Sequence, residues 1–185
     1  IPLNYRKNII STDRITADVY TAGGQKKMAK EQKTNAMRFL EKCKISYTVQ
    51  TYECDEFIDG IHTAEKLGQP LEETFKTLVA HGKSGAYYCF QLPVAEELDL
   101  KKAAKSVGEK SVELIAVKDI TKITGYVRGG CTPIGMKKQF MTVVHNTAEN
   151  MELFYISGGK IGVQIRLSPA ELVAAIRGKF EDIVL

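Results

Sequence analysis

Short segments with the period of a strand alternate along this chain with short segments that have the period of a helix, and this alternation most limits the possible folds. Alternating or clustered apolar, aromatic and β-branched residues predict strands at 47–51, 75–80, 86–92, 112–115, 140–144, 153–156 and 162–167. Apolar residues at helical spacing predict helices at 34–43, 63–67, 99–107, 119–124 and 168–177. No repeat or linker interrupts the succession, so the sequence predicts a single α/β domain with a mixed sheet.

Capping residues mark the ends of several predicted helices. Asp99 precedes the third helix and Gly108 follows it. The last helix is marked best, because Ser168 is a good N-cap and Pro169 occupies the first helical position, with Gly178 beyond the end.

The N-terminal 27 residues show no clear period and end in a polar stretch before Met28. Met28 is a plausible natural start. We therefore predict that 1–27 is an N-terminal extension, native or artificially added, and that 28–185 is the folded domain.

Composition excludes several classes of protein. No uninterrupted apolar run approaches the roughly 20 residues of a membrane span. The formal charge of +4 is too mild for a dedicated duplex-DNA binder. Cysteines and histidines are scattered without a metal-ligand spacing, so neither a metal nor another cofactor is expected, and a reducing cytoplasm suits the free thiols. These residues are Cys43, Cys54, Cys89, Cys131, His62, His81 and His145.

The densest cluster of special backbone residues runs from Gly125 to Gly135 and contains four glycines and a proline. Glycine reaches positive φ without strain and lets a ligand approach bare backbone, while Pro133 stiffens the turn. The amides of Gly129, Gly130 and Cys131 are expected to face outward as hydrogen-bond donors. A tight structural turn is the alternative interpretation.

Lys76 is a cation within a predicted strand whose neighbours favour burial. It either points outward from a half-exposed sheet or forms the wall of a pocket, where it holds a phosphate or an ester oxygen. A Schiff-base role has no accompanying cofactor motif.

Three motifs in register resemble those of a known family: Phe-Lys-Thr-Leu-Val at 75–79, Gly-Gly-x-x-Pro-Ile-Gly at 129–135 and Gly-Gly-Lys-x-Gly at 158–162. From about residue 33 to its end, the chain resembles the YbaK/EbsC family of aminoacyl-tRNA deacylases, especially the cysteinyl-tRNA(Pro) deacylase branch. The resemblance implies a free-standing editing domain, similar to the insertion domain of prolyl-tRNA synthetases. Such a domain has a barrel-like mixed sheet with helices packed outside it, and it uses no metal and no protein nucleophile.

The resemblance also implies roles for individual residues. Lys76 is expected to be the principal functional residue, and Gly129 to shape the pocket with its backbone. The expected substrate-binding residues are Tyr52, Gly130, Thr132, Pro133 and Gln164, and the expected tRNA contacts are Lys137 and Lys138. Many relatives carry an aspartate where this chain has Gln164, so the affinity or the choice of amino acid is expected to differ.

The expected reaction is hydrolysis of Cys-tRNA(Pro) in trans, beside prolyl-tRNA synthetase and assisted by the thiol of the substrate. Two alternatives remain open: deacylation of another misacylated tRNA such as Ala-tRNA(Pro), and a catalytically silent module that binds tRNA or a synthetase. Cys131 is expected to fill space beside the glycine loop rather than to act as a nucleophile, because no histidine lies in a pairing motif.

Overall fold

The computed structural model describes residues 33–54 and 57–185, and the backbone of one further strand at 16–20. Five α-helices lie in these ranges: α1 (Asn35–Lys42), α2 (Gly60–Leu67), α3 (Leu100–Val107), α4 (Ile120–Thr124) and α5 (Pro169–Ile176). The strands are β1 (Thr16–Tyr20), β2 (Tyr47–Thr51), β3 (Phe75–Gly82), β4 (Tyr87–Pro93), β5 (Val112–Leu114), β6 (Met141–His145), β7 (Phe154–Ser157), β8 (Val163–Leu167) and β9 (Lys179–Glu181).

The strands form two sheets. One is antiparallel with the order β1-β2-β8-β7, and the other has the order β5-β3-β4-β6-β9, in which β4, β6 and β9 run parallel. The single α/β domain with a mixed sheet is therefore confirmed. The predicted barrel-like closure is wrong, because in the described part of the chain the only backbone pairing between the two sheets is an isolated bridge between Thr74 and Tyr155.

Apolar clusters attach the helices to the sheets. The largest cluster joins α1 and α5 to β2, β7 and β8 through fully buried side chains such as Leu40, Ile165 and Leu172. A second joins α3 to the five-stranded sheet. A third, smaller cluster contains Val79 and Cys89, with Cys131 packed against it, and lies beside the glycine loop.

The predicted helices are confirmed, with shifts at their ends, and the strands predicted at 75–80 and 86–92 are β3 and β4, which pair as an antiparallel hairpin. Helix α2 begins earlier than predicted because the side chain of Asp59 caps it, accepting from the amides of Ile61 and His62. Helix α5 has its left-handed C-cap at Arg177, with a φ of 52°, one residue before the expected Gly178. No helix in the described ranges is long and apolar enough to cross a membrane.

Strand β1 lies within the predicted N-terminal extension and pairs antiparallel with β2. The boundary predicted between residues 27 and 28 falls outside the described residues, so the division of the chain at that point stays a prediction.

Candidate active site

A cavity of about 530 Å³ opens along one edge of β3. Strand β5 pairs with β3 only from Ala80 to Gly82, and β7 meets the same edge only near Thr74. The edge between them, residues 75–79, has no partner strand among the described residues, and each of its five residues lines the cavity. The volume lies within the range of about 300–1,000 Å³ typical of small-molecule sites.

Lys76 brings a half-buried cation to this edge. Its Nζ donates to the carbonyl oxygen of Val94 at 3.0 Å, which orients the ammonium group. Burial lowers the pKa of Lys76, and the carboxylates of Glu97 and Glu96 oppose the shift. Val94 is itself held against the start of α2, since a Cβ on Gly60 would come 2.6 Å from its Cγ1. The pocket interpretation of Lys76 agrees with this placement.

The two central glycines of the loop serve different purposes. Gly129 lines the cavity at a φ of +82°, and a Cβ there would lie 2.8 Å from Cδ2 of Phe57. Gly130 faces the other way, because a Cβ there would lie 3.1 Å from Cα of Lys160. The amide of Gly130 donates to the carbonyl of Val127 at 3.0 Å. The expectation that this amide is a free donor is therefore wrong, since it closes the turn.

Tyr126 contacts both glycine-rich loops, 129–135 and 158–162. Its hydroxyl donates to the carbonyl oxygen of Ile134 at 2.7 Å, and burial raises its pKa to about 12. A Cβ on Gly159 would lie 3.1 Å from Cε1 of the same ring. Tyr126 thus holds the 129–135 loop against the 158–162 loop. Thr132 and Pro133 are buried in this arrangement and do not line the cavity.

Cys131 lines the cavity, but its thiol is poorly suited to attack. Burial raises its pKa to about 11, and burial also raises the pKa of neighbouring Cys89. The nucleophile is the thiolate, and a thiol with so high a pKa remains protonated at neutral pH. This favours the packing role predicted for Cys131.

Tyr52 and Gln164 complete the predicted part of the cavity wall. The Oε1 atom of Gln164 is buried and has no hydrogen-bond partner among the described residues. Gln164 pairs across the sheet with Ser157, so both side chains lie on one face, and both line the cavity. A buried acceptor without a donor is costly unless a ligand supplies one, so Gln164 is suited to a ligand N–H group.

Sequence reasoning missed several cavity residues: Phe57, Asp59, Val94, Arg128 and Ser157. Arg128 directly precedes the glycine pair, and Asp59 has the spacing of a helix cap. These two of the five could therefore have been recognised from the sequence. Lys137 and Lys138 are exposed and do not line the cavity, and the stem of Lys137 packs against Gly125. No group of three or more His, Cys, Asp or Glu side chains in the described ranges could hold a metal ion.

Comparisons with known proteins agree with this architecture. The model of the aminoacyl-tRNA editing domain family matches residues 60–175, and the chain belongs to that family. A relative from Enterococcus faecalis, EbsC, is 42% identical over 154 residues, which is 83% of this chain and 94% of the relative; it is named as a proposed Cys-tRNA(Pro)/Cys-tRNA(Cys) deacylase.

Solved structures share the fold. A crystal structure of a proposed trans-editing enzyme for prolyl-tRNA synthetase has a TM-score of 0.71 and 22% identity, covering 84% of this chain and 99% of its own. A hypothetical protein of known structure has a TM-score of 0.74 and 21% identity, covering 82% and 99%.

Proposed function

We propose that this protein hydrolyses the ester bond of Cys-tRNA(Pro) in trans and releases cysteine, beside a prolyl-tRNA synthetase in the cytoplasm. The observation that carries the proposal is the cavity: it combines the cation of Lys76, the bare backbone of Gly129 and the unpaired acceptor of Gln164, while its Cys131 thiol stays protonated. Membership of the editing-domain family and the name of the EbsC relative support it.

The attacking group in this proposal is the thiol of the substrate. Its sulfur attacks the ester carbonyl carbon, and the ribose oxygen leaves and takes up the thiol proton. Water then opens the resulting thiolactone to free cysteine. A well-aligned internal nucleophile can contribute about 7–11 kcal/mol to lowering the barrier, so a serine or histidine of the protein is not needed for attack.

The protein contributes orientation and charge. Lys76 is tethered to Val94 and supplies a positive charge to the ester carbonyl or to the terminal phosphate. A donor aimed at a developing oxyanion is worth about 2.7–4 kcal/mol. Gln164 Oε1 accepts from the substrate ammonium group, which places the amino acid with its carbonyl towards Lys76.

The test is deacylation of Cys-, Ala- and Pro-charged tRNA(Pro), and of Cys-tRNA(Cys), by the purified protein. Rapid loss of cysteine with little loss of proline is expected. Faster cleavage of the alanyl ester would reassign the substrate. Salt-sensitive binding of uncharged tRNA without any turnover would show that the protein is a tRNA-binding module rather than an enzyme.

The role of the thiol is tested by comparing cysteinyl and seryl esters on the same tRNA. Serine differs from cysteine at one atom, so it keeps the size and loses the nucleophile. Equal rates for the two esters would exclude attack by the substrate thiol.

A further inference from the structure

Phe57 and Arg128 meet at the exposed side of the cavity. Phe57 is 43% exposed, although it is a large apolar side chain, and both residues line the cavity. The guanidinium carbon of Arg128 lies 4.1 Å from the centroid of the Phe57 ring, so the cation covers one face of the ring. The two residues come from different segments, before α2 and after α4, and we call this exposed side of the cavity its mouth.

The stack lies directly against the glycine loop. The ring of Phe57 occupies the space that a side chain at position 129 would need, with 2.8 Å between Cδ2 and the Cβ that glycine lacks. Because position 129 has no side chain, the ring of Phe57 lies next to the backbone that borders the reacting ester in the proposed function. A group stacked on Phe57 would be a neighbour of that ester.

Charge at the mouth favours an anion. Arg128 makes no ion pair with a carboxylate among the described residues, and its side chain is exposed. The carboxylate of Asp59 also lines the cavity, but it accepts from the amides of Ile61 and His62 and contacts His62 Nδ1 at 2.6 Å. These donors offset the negative charge of Asp59, which would otherwise repel a phosphate.

We propose that Phe57 and Arg128 form the subsite for the terminal adenosine of the tRNA, with the base stacked on Phe57 and the 5′ phosphate held by Arg128. The inference rests on the proposed function, because it assumes an aminoacyl-tRNA ester. Bases stack on aromatic rings whatever their sequence, and a guanidinium binds phosphate through two parallel hydrogen bonds. On binding, the base replaces the guanidinium on the ring face and Arg128 turns to the phosphate.

The burial of the cavity residues follows the order of groups in the substrate. Gln164 is buried and suits the amino group, Lys76 is half-buried and suits the ester, and Phe57 and Arg128 are exposed where the nucleotide must lead out to the rest of the tRNA. With Arg128 on the phosphate, Lys76 is assigned to the ester carbonyl. This resolves the choice left open for Lys76.

The experiment measures binding of four probes by equilibrium dialysis: AMP, adenosine, ribose 5-phosphate and ATP. Phe57→Leu should weaken AMP and adenosine by about fivefold or more and leave ribose 5-phosphate unchanged. Arg128→Gln should weaken AMP and ribose 5-phosphate by about tenfold or more and leave adenosine unchanged. Phe57→Tyr keeps an aromatic face and should bind AMP like the wild type.

Matched controls remove an exposed aromatic and an exposed arginine that do not line the cavity. Tyr87→Leu and Arg38→Gln should bind all four probes as the wild type does. Thermal unfolding of each variant shows whether it is folded, and if Phe57→Leu does not fold, Arg128→Gln still tests the subsite through its expected loss of AMP and ribose 5-phosphate with adenosine unchanged.

The inference is overturned if the wild type shows no saturable binding of AMP, or if both variants weaken all probes equally. Much tighter binding of ATP than of AMP would assign the mouth to free nucleoside triphosphates instead. Because binding of the probes requires no turnover, failure of the subsite can be distinguished from failure of the proposed function. If the wild type deacylates but Phe57→Leu and Arg128→Gln leave probe binding unchanged, the subsite alone is refuted. If the wild type binds AMP but never deacylates, the proposed function is refuted.

Discussion

Replacing Lys76 with methionine is the sharpest test of the proposed chemistry. Methionine fills similar space without charge, so the variant removes the cation and its 3.0 Å hydrogen bond to Val94. If Lys76 stabilises the developing oxyanion, its loss should cost about 2.7–4 kcal/mol in the transition state, or about 10²- to 10³-fold in the rate of deacylation.

Stability should change far less than the rate. The lost hydrogen bond is worth about 0.5–1.5 kcal/mol, but burial disfavours the charged amine, as its lowered pKa indicates, and methionine relieves that cost. The two effects oppose each other, so the free energy of unfolding should shift by no more than about 1 kcal/mol.

The assay is single-turnover deacylation of Cys-tRNA(Pro), with urea unfolding in parallel. Lys105→Met is the matched control, because Lys105 is exposed on α3 and no residue of that helix lines the cavity. After subtraction of spontaneous hydrolysis, the rate should fall at alkaline pH as Lys76 loses its proton. The fall should occur below the ordinary pKa of lysine, because burial lowers the pKa of Lys76. The methionine variant should lack this fall. A variant that keeps more than about a tenth of the wild-type rate would refute the role of Lys76.

Two further substitutions separate support of the loop from chemistry. Tyr126→Phe leaves the buried carbonyl of Ile134 without its donor and should lower the free energy of unfolding by about 1–3 kcal/mol in urea titrations; an unchanged value would contradict its supporting role. Cys131→Ala should keep deacylation within a few-fold of the wild type, because its thiol is protonated, and a loss as large as that of Lys76→Met would restore it as a nucleophile.

The sequence predicted the elements where local signals determine them. Helix α3 begins after Asp99 and ends at Gly108 because an acceptor side chain and a left-handed glycine suffice to terminate a helix. Strand β9 went unpredicted, since its three residues form a strand only by pairing with β6. The open arrangement of the sheets was missed for the same reason, because closure depends on contacts between distant strands such as β3 and β7.

The same distinction between local sequence signals and contacts of distant residues applies to the candidate site. Lys76 was recognisable because a cation in an apolar strand is locally unusual, and Gly129 because its neighbours are glycine-rich. Phe57 follows no periodic pattern, and only folding brings it against Gly129. The inward packing of Gly130 depends on the backbone of Lys160, which is likewise distant in sequence.

Gln164→Glu tests how the cavity recognises the amino group. The side chains have the same shape, so the change adds a charge at the buried Oε1 atom, which has no partner among the described residues. An ammonium group should bind this carboxylate better than the amide, lowering KM for the cysteinyl ester by about fivefold. An N-acetylated cysteinyl ester lacks the ammonium group and should show no such gain.

The unliganded Gln164→Glu variant should be less stable in a pH-dependent way. Burial raises the pKa of a carboxyl group in the folded state above its unfolded value of about 4.3. Between these two pKa values the folded state binds more protons, so the stability of the variant relative to wild type falls as pH rises, and below about pH 4 the deficit vanishes. A deficit that is constant with pH would mean that the glutamate perturbs packing rather than charge. A KM gain shared by the N-acetylated ester would show that Gln164 does not contact the amine.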